Sequence, residues 1–350
     1  MSKKIVLVVD TLQSAMGISA QQHSIKENVK VLAALDYSSP NKFFEALSLE
    51  VPQVVIFSWR RLLLDLMSEY NSRGHLLRLR KNSQIYFIIA DHLGLDPNYF
   101  NQELPIFDFA HGYFVTNRIL EIEYSKKFSN NQPVGIFRDL PNLTNIAIVQ
   151  SESIERLPNK IVWVGNSKWG YHYGYRDHKG LLGIVLPLKQ KLASANPRYT
   201  IKIIDSATGY VDNLSVLREI ASSRILIQTS KSEGTGLPLL EALALGTIPI
   251  TNKVGIAEEI LTGSLSDLVV NNETDKFIDQ IVKVTESEPN QEQLLEVFND
   301  YLEHSDIPDS SGMISKVTSL QKFYLRKHFI VVVYWKIRFI RNYLRHHSLG

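Results

Sequence analysis

Short apolar runs alternate with amphipathic stretches along most of the chain. Lys4–Asp10, Val54–Ser58 and Ile85–Ala90 are apolar on both faces of an extended strand, the pattern of inner strands in a parallel sheet. Between them, Asn41–Leu49 (NKFFEALSL) and Arg60–Tyr70 (RRLLLDLMSEY) repeat their apolar positions at helical spacing. The series continues with a strand over Tyr113–Thr116, a charged helix over Asn117–Phe128 and a strand over Val134–Phe137. It then restarts. Ile161–Gly165 reads as a strand and Gly180–Ala195 as a helix that Pro187 either kinks or delays. Strands at Tyr199–Asp205, Ile225–Gln228 and Ile248–Ile250 and helices at Asp212–Ser222 and Asn290–Glu303 complete the set. Such alternation predicts an α/β chain with two doubly wound parallel sheets. The restart places the boundary within 145–160, giving units 1–150 and 151–305 and a tail, 306–350.

One segment of the second unit stands out, Thr229–Ile250, TSKSEGTGLPLLEALALGTIPI. It begins where the strand Ile225–Gln228 ends, passes through a polar glycine loop and enters a stretch of helical composition at LLEALAL. Glu233, Gly234, Thr235 and Gly236 therefore fall at the carboxyl end of a parallel strand, where open α/β sheets bind ligands. Pro238 suits the first turn of a helix, whose free N–H groups and positive dipole end attract an anion. Two carboxylates, Glu233 and Glu241, bracket this anion site. A ligand with both phosphates and hydroxyls satisfies that mixture, since amides take phosphate while carboxylates accept sugar hydroxyls. Taken singly, Glu241 reads as a complement to the helix dipole and Glu233 as a solvated loop residue.

Composition adds limits. The chain has 350 residues, 44% of them hydrophobic, enough for two cores. It has no cysteine, which excludes disulfides, thiolate metal sites and thiol nucleophiles. The apolar run after MSKK is short and ends in an acid, so no secretory signal is expected and the expected location is cytoplasmic. The net charge of +2 hides an asymmetry: eight Lys or Arg and no acid follow Asp309, leaving 30 basic and 36 acidic residues in 1–309. From Phe329 on, Phe329, Val333, Ile337, Ile340 and Leu344 form one helical face while Lys327, Arg338, Arg341 and Arg345 share another. The longest uncharged run there, FIVVVYW, falls far short of the ~20 residues that span a bilayer. Two readings stand: the helix lies on an anionic membrane surface, or its apolar face packs on the first unit.

The segment Thr229–Ile250 resembles the donor-binding signature of glycosyltransferase family 4. Ser230, Glu233, Gly234, Gly236, Leu237, Pro238, Glu241, Ala242, Gly246 and Pro249 match in register, with the two glutamates eight positions apart. The resemblance implies a GT-B fold, two Rossmann-like domains facing across a cleft, with a C-terminal helix crossing back to the first. It implies a retaining glycosyltransferase that moves a sugar from a nucleotide-sugar donor to a glycan or lipid-linked acceptor, in cell-surface polysaccharide or glycolipid synthesis. No metal or cofactor and no nucleic acid is expected, and the enzyme would sit at the inner face of the cell membrane. In this reading Glu233 holds hydroxyls of the donor sugar, Glu241 the ribose and the helix start at Gly236–Pro238 the diphosphate, with Gly234, Thr235, Gly236 and Leu237 binding the donor.

By the same resemblance Lys179, in a Lys-Gly pair opening a helix, meets the donor diphosphate. His92, at a strand end with Asp91, lies near the transferred sugar, with His111 as runner-up. The chain also departs from the family. Asn166 follows Gly165 where many members have arginine, and Lys168 and Arg176 are the two candidates for the missing cation. The aromatics of that loop, Trp169, Tyr171, Tyr173 and Tyr175, either stack on sugar or pack the cleft. Gly17 stands alone where the family often has two glycines; it either lets the backbone approach the ligand or makes a plain turn. Asp10 and Arg138 are weaker candidates at other strand ends. These departures leave two alternatives: a non-catalytic sugar-nucleotide-binding subunit of another transferase, and a nucleotide-sugar epimerase.

Overall fold

A computed structural model describes residues 4–27, 29–92, 95, 104–128, 131–171, 174–286 and 290–307. The basic helix expected in the tail, all but two residues of the 306–350 unit, and Tyr173 lie outside them. Among the described residues no helix is long and apolar enough to cross a membrane.

Two parallel sheets carry the structure. The first contains β1 (Ile5–Val9), β2 (Lys30–Ala33), β3 (Val54–Phe57), β4 (Gln84–Ile89), β5 (Gly112–Val115) and β6 (Gly135–Ile136), in the order β2-β1-β3-β4-β5-β6. The second contains β7 (Leu157–Gly165), β8 (Thr200–Asp205), β9 (Ser223–Gln228), β10 (Ile248–Asn252) and β11 (Val269–Val270), in the order β11-β10-β9-β7-β8. Read from β8, the five strands of the second repeat the order of the first five strands of the first. In each, the chain starts at one strand, steps to one side and then returns to build outward on the other. That reversal creates a switch point, between β1 and β3 in one sheet and between β7 and β9 in the other.

The apolar runs are buried on both faces, as their patterns require. In the first sheet Val6, Val8, Val55, Phe57, Phe87 and Ile89 pack beneath helices Pro40–Leu49, Arg60–Ser68 and Arg73–Asn82. Their alternate neighbours Leu7, Val9, Ile56 and Ile88 pack on the opposite side with Ala20 of helix Ala15–Glu27 and with Phe137. The second core is continuous around Trp163, which is 1% exposed. The helix Leu143–Ser151 precedes β7 and contributes Ile146 and Val149 to this second core. The helix predicted from Gly180 opens with a π-helical turn, Leu181–Val185, and becomes regular only at Leu186. Pro187 thus sits near the α-helical start, where its missing N–H costs least.

Helices Ala15–Glu27, Arg73–Asn82, Leu143–Ser151, Ala257–Ile260 and Thr274–Glu286 and strands β2 and β11 are not among the elements expected from the sequence pattern. Helix Ala15–Glu27 places Gly17 within a helix. After helix Gln291–Glu303 the chain crosses back. Ile307 enters the first core, its N–H donates to Glu27 Oε1 (2.8 Å), and Lys26 Nζ pairs with Asp306 (2.6 Å).

Candidate active site

Both switch points open onto one cleft of about 530 Å³ between the sheets. Its first wall comes from the ends of β1, β3 and β4 and the residues just beyond them: Asp10, Ser14, Trp59, Ala90 and Asp91. Its second wall comes from Gly165, Asn166 and Trp169 after β7, from His178 and Lys179, and from Glu233–Pro238 after β9. Asp139, in the segment joining the domains, lies between them.

The glycine loop has a fixed shape. At Gly236 the backbone takes φ +86°, a left-handed conformation that glycine adopts without penalty, and a Cβ there would stand 2.8 Å from the Gln228 amide. Gly236 then caps the helix Leu237–Ala244, with Pro238 in its first turn. At that start Pro238 carries no N–H and the Leu239 N–H donates to the Gly236 carbonyl (2.9 Å), while Leu237 and Pro238 line the cleft. Glu233 precedes this helix start. Its Oε1 accepts from Lys179 Nζ and from the Ser230 hydroxyl, each at 2.5 Å, and both charged side chains are 17% exposed.

Lys179 is held from several sides. Its ammonium stands 5.6 Å from the centre of the Trp169 ring, and its carbonyl accepts from Thr229 Oγ1 (2.7 Å). The preceding His178 packs against Trp169, ring centres 4.3 Å apart, and faces the Ser232 carbonyl at 3.1 Å. Burial lowers the His178 pKa below its ordinary value, so the ring is neutral near pH 7 and adds no charge beside Lys179. A cation, a helix start and a carboxylate thus meet in a cleft that Trp169 and His178 also line. Together they suit a ligand bearing both phosphate and hydroxyl groups.

Residues 206–298 match the family model described as "Glycosyl transferases group 1". That stretch holds the glycine loop, Glu233 and Glu241, and begins after Lys179. Solved structures carry the fold comparison further. An α,α-trehalose-phosphate synthase (UDP-forming) from Burkholderia vietnamiensis aligns over 90% of this chain and all of its own, at TM-score 0.60 and 10% identity. A sucrose-phosphate synthase from Thermosynechococcus elongatus aligns over 92% and 99%, at TM-score 0.54 and 14% identity. Against a chain of the GtfA/B complex the alignment covers 82% of this chain but only 61% of that one, at TM-score 0.50 and 14% identity. Identities this low speak for the fold alone: two Rossmann-like domains in the GT-B arrangement. No curated protein sequence matches the chain.

Within this GT-B arrangement the remaining candidates fall into two groups. Asn166 lines the cleft at the end of β7. Lys168 is exposed and only its N–H reaches inward, to Asn166 Oδ1 (3.0 Å); Arg176 offers its carbonyl to Lys231 Nζ (3.1 Å). Neither cation lines the cleft, so the site of the missing arginine is filled by the neutral Asn166. Glu241 is 6% exposed and lies behind the wall, where its Oε1 accepts from Asn213 Nδ2 at 3.2 Å. Burial raises its pKa to about 7.

His92 points away from the cleft. Its Nε2 pairs with Glu123 at 3.0 Å, and the cleft-lining residue of that strand end is Asp91, in a buried ion pair with Arg60 (2.7 Å). His111 lies at the opposite, amino-terminal edge of β5, where its Nδ1 accepts from the Ile85 N–H (2.9 Å). Gly17 is inside the first helix. A Cβ there would stand 2.0 Å from the Thr11 carbonyl, so glycine serves the tight turn, while Ser14 faces the cleft and donates to Asp10 (2.6 Å). Arg138 pairs with Glu259 (3.5 Å) and lies over the Tyr301 ring, on the seam between domains.

Sequence reasoning missed Trp59, Asp139 and Asp205. Trp59 comes two residues after β3, so the strand-end rule reaches it. Asp139 has no sequence mark; it is buried, and Thr235 Oγ1 donates to its Oδ2 at 2.8 Å. Burial raises the Asp139 pKa, with the Thr235 hydroxyl acting against the rise. At Asp205 burial acts to raise the pKa, but the Ser167 hydroxyl and N–H and the Ala207 N–H outweigh it. The ionised carboxylate so held shapes the loop after β7.

Proposed function

We propose that the chain is a glycosyltransferase that moves a sugar from a nucleotide-sugar donor to a hydroxyl of a glycan or lipid-linked acceptor. The observation that carries this is the meeting of Lys179, Glu233 and the start of helix Leu237–Ala244 on one wall of an interdomain cleft. Lys179 and the helix N-terminus stabilise the leaving diphosphate, and preorganised charge of this kind is commonly a large share of catalysis. Glu233 accepts hydroxyls of the donor sugar once the diphosphate draws Lys179 away from it. Glu241, with Asn213, orders the ribose end of the helix. The acceptor enters from the first domain, past Trp59 and Asp91.

The resemblance to family 4 supports retention of anomeric configuration and a metal-free reaction, and both are part of the proposal. So are a role in surface polysaccharide or glycolipid synthesis and a membrane contact through the basic segment 327–345. The neutral Asn166 in the arginine position is the observation behind the alternative of a binding subunit without turnover. Nucleotide-sugar hydrolysis and transfer by the wild type and by Glu233→Ala separate the two. Turnover in the wild type and its loss in the variant are expected; equal background in both rejects the enzyme reading.

A further inference from the structure

The two domains meet around the glycine loop. Asn117, fully buried at the start of helix Arg118–Lys127, belongs to the first domain. Its Oδ1 accepts from the Leu120 N–H (2.8 Å), capping that helix. Its Nδ2 donates across the seam to the Gly234 carbonyl (2.5 Å) and, at 3.4 Å, to that of Glu233. The next residue, Arg118, gives its N–H to Glu259 Oε1 (2.6 Å), whose other oxygen meets Arg138 at 3.5 Å. The Thr235 hydroxyl reaches the buried Asp139 carboxylate. Gly234 is pressed so close that a Cβ would stand 2.5 Å from the Ala90 carbonyl of the first domain. Three consecutive residues of the loop, 233–235, are therefore fastened by the domain opposite to their own.

We propose that Asn117 is a positioning residue for donor binding, the amide through which the first domain sets the conformation of the glycine loop. A trans peptide points its N–H opposite its C=O, so holding the Gly234 carbonyl toward Asn117 fixes the direction of the Thr235 N–H. Holding the Glu233 carbonyl limits how that residue swings its carboxylate. The donor site is then complete only when the domains meet as they do here. Asparagine answers a double demand: an acceptor for its own helix and a donor for the neighbouring domain. Aspartate supplies the cap but turns a second acceptor onto two carbonyls. Serine supplies the cap with a hydroxyl too short to reach across the seam.

The inference rests on the loop binding the donor, and the test separates the two ideas. Asn117→Ser, Asn117→Asp and Asn117→Ala are compared with the wild type for thermal unfolding and for KM and kcat with a panel of nucleotide sugars. Asn117→Ser, which keeps the cap and loses the bonds across the seam, is expected to unfold between the wild type and Asn117→Ala while its donor KM rises about tenfold, the effect of one lost buried hydrogen bond. Asn117→Ala is expected to lose both stability and affinity. Wild-type KM in Asn117→Ser reduces the residue to a helix cap and overturns the proposal. If the wild type turns over no nucleotide sugar, the donor reading fails. The clamp is then judged by small-angle scattering, where a larger radius of gyration for Asn117→Asp upholds it and an unchanged one overturns it.

Discussion

Glu241→Gln should make the protein more stable at alkaline pH and leave it unchanged in acid. The carboxyl is 6% exposed and has one polar contact, Asn213 Nδ2 at 3.2 Å, so burial dominates and lifts its pKa from 4.5 to about 7. At roughly 1.4 kcal/mol per pH unit, that displacement is worth about 3 kcal/mol. The sign follows from proton binding: between the two values the folded chain keeps a proton that the unfolded chain has released. The contribution is complete below about pH 4.5, declines as the pH rises, and is fully lost above about 7. Glutamine keeps the acceptor for Asn213 and has nothing to ionise. Urea unfolding of both proteins at pH 4.5 and 8.5 should show a gap that opens from near zero to about 3 kcal/mol in favour of the variant. A gap of the same size at both pH values refutes the burial argument.

The other predictions concern the seam and the cleft. Gly234→Ala forces a Cβ against the Ala90 carbonyl at 2.5 Å and should cost about 1–3 kcal/mol in thermal or denaturant unfolding; a neutral effect contradicts the packing described. Asp139→Asn keeps an acceptor for Thr235 and removes a carboxyl whose pKa burial raises, so it should stabilise the protein at pH 8 relative to pH 4, read by thermal unfolding at the two pH values. His92→Ala should leave sugar-nucleotide turnover within about threefold of wild type, because the ring pairs with Glu123 outside the cleft; a loss of several orders would return it to the chemistry.

The fold was legible where apolar runs are buried on both sides of a sheet. Lys4–Asp10, Val54–Ser58, Ile85–Ala90 and Ile225–Gln228 each mark a strand to within a residue or two. The helix Ala15–Glu27 was not, because Gln21, Gln22, His23 and Ser24 interrupt its apolar face and Gly17 reads as a turn; buried Gln22 and His23 serve the interior here. Sequence register placed Lys179 and Glu233, which the structure brings to 2.5 Å. Asn117, Asp139 and Glu259 could not be found the same way. Their importance lies in contacts between domains, with partners far away in the chain, and no local pattern records those. His92 shows the converse: a correct strand end whose side chain turns to the neighbouring helix instead of the cleft.

Thermal unfolding of the wild type and of Lys179→Met against a panel of nucleoside diphosphates tests whether the cleft takes a nucleotide. At least one should stabilise the wild type, by about 2.7 kcal/mol at a hundred times its dissociation constant. The variant, lacking the ammonium beside Glu233, should bind that ligand about 10- to 100-fold more weakly, the worth of a charge-assisted hydrogen bond. No stabilisation by any of them, or equal stabilisation of both proteins, would contradict the donor site placed at Lys179 and Glu233.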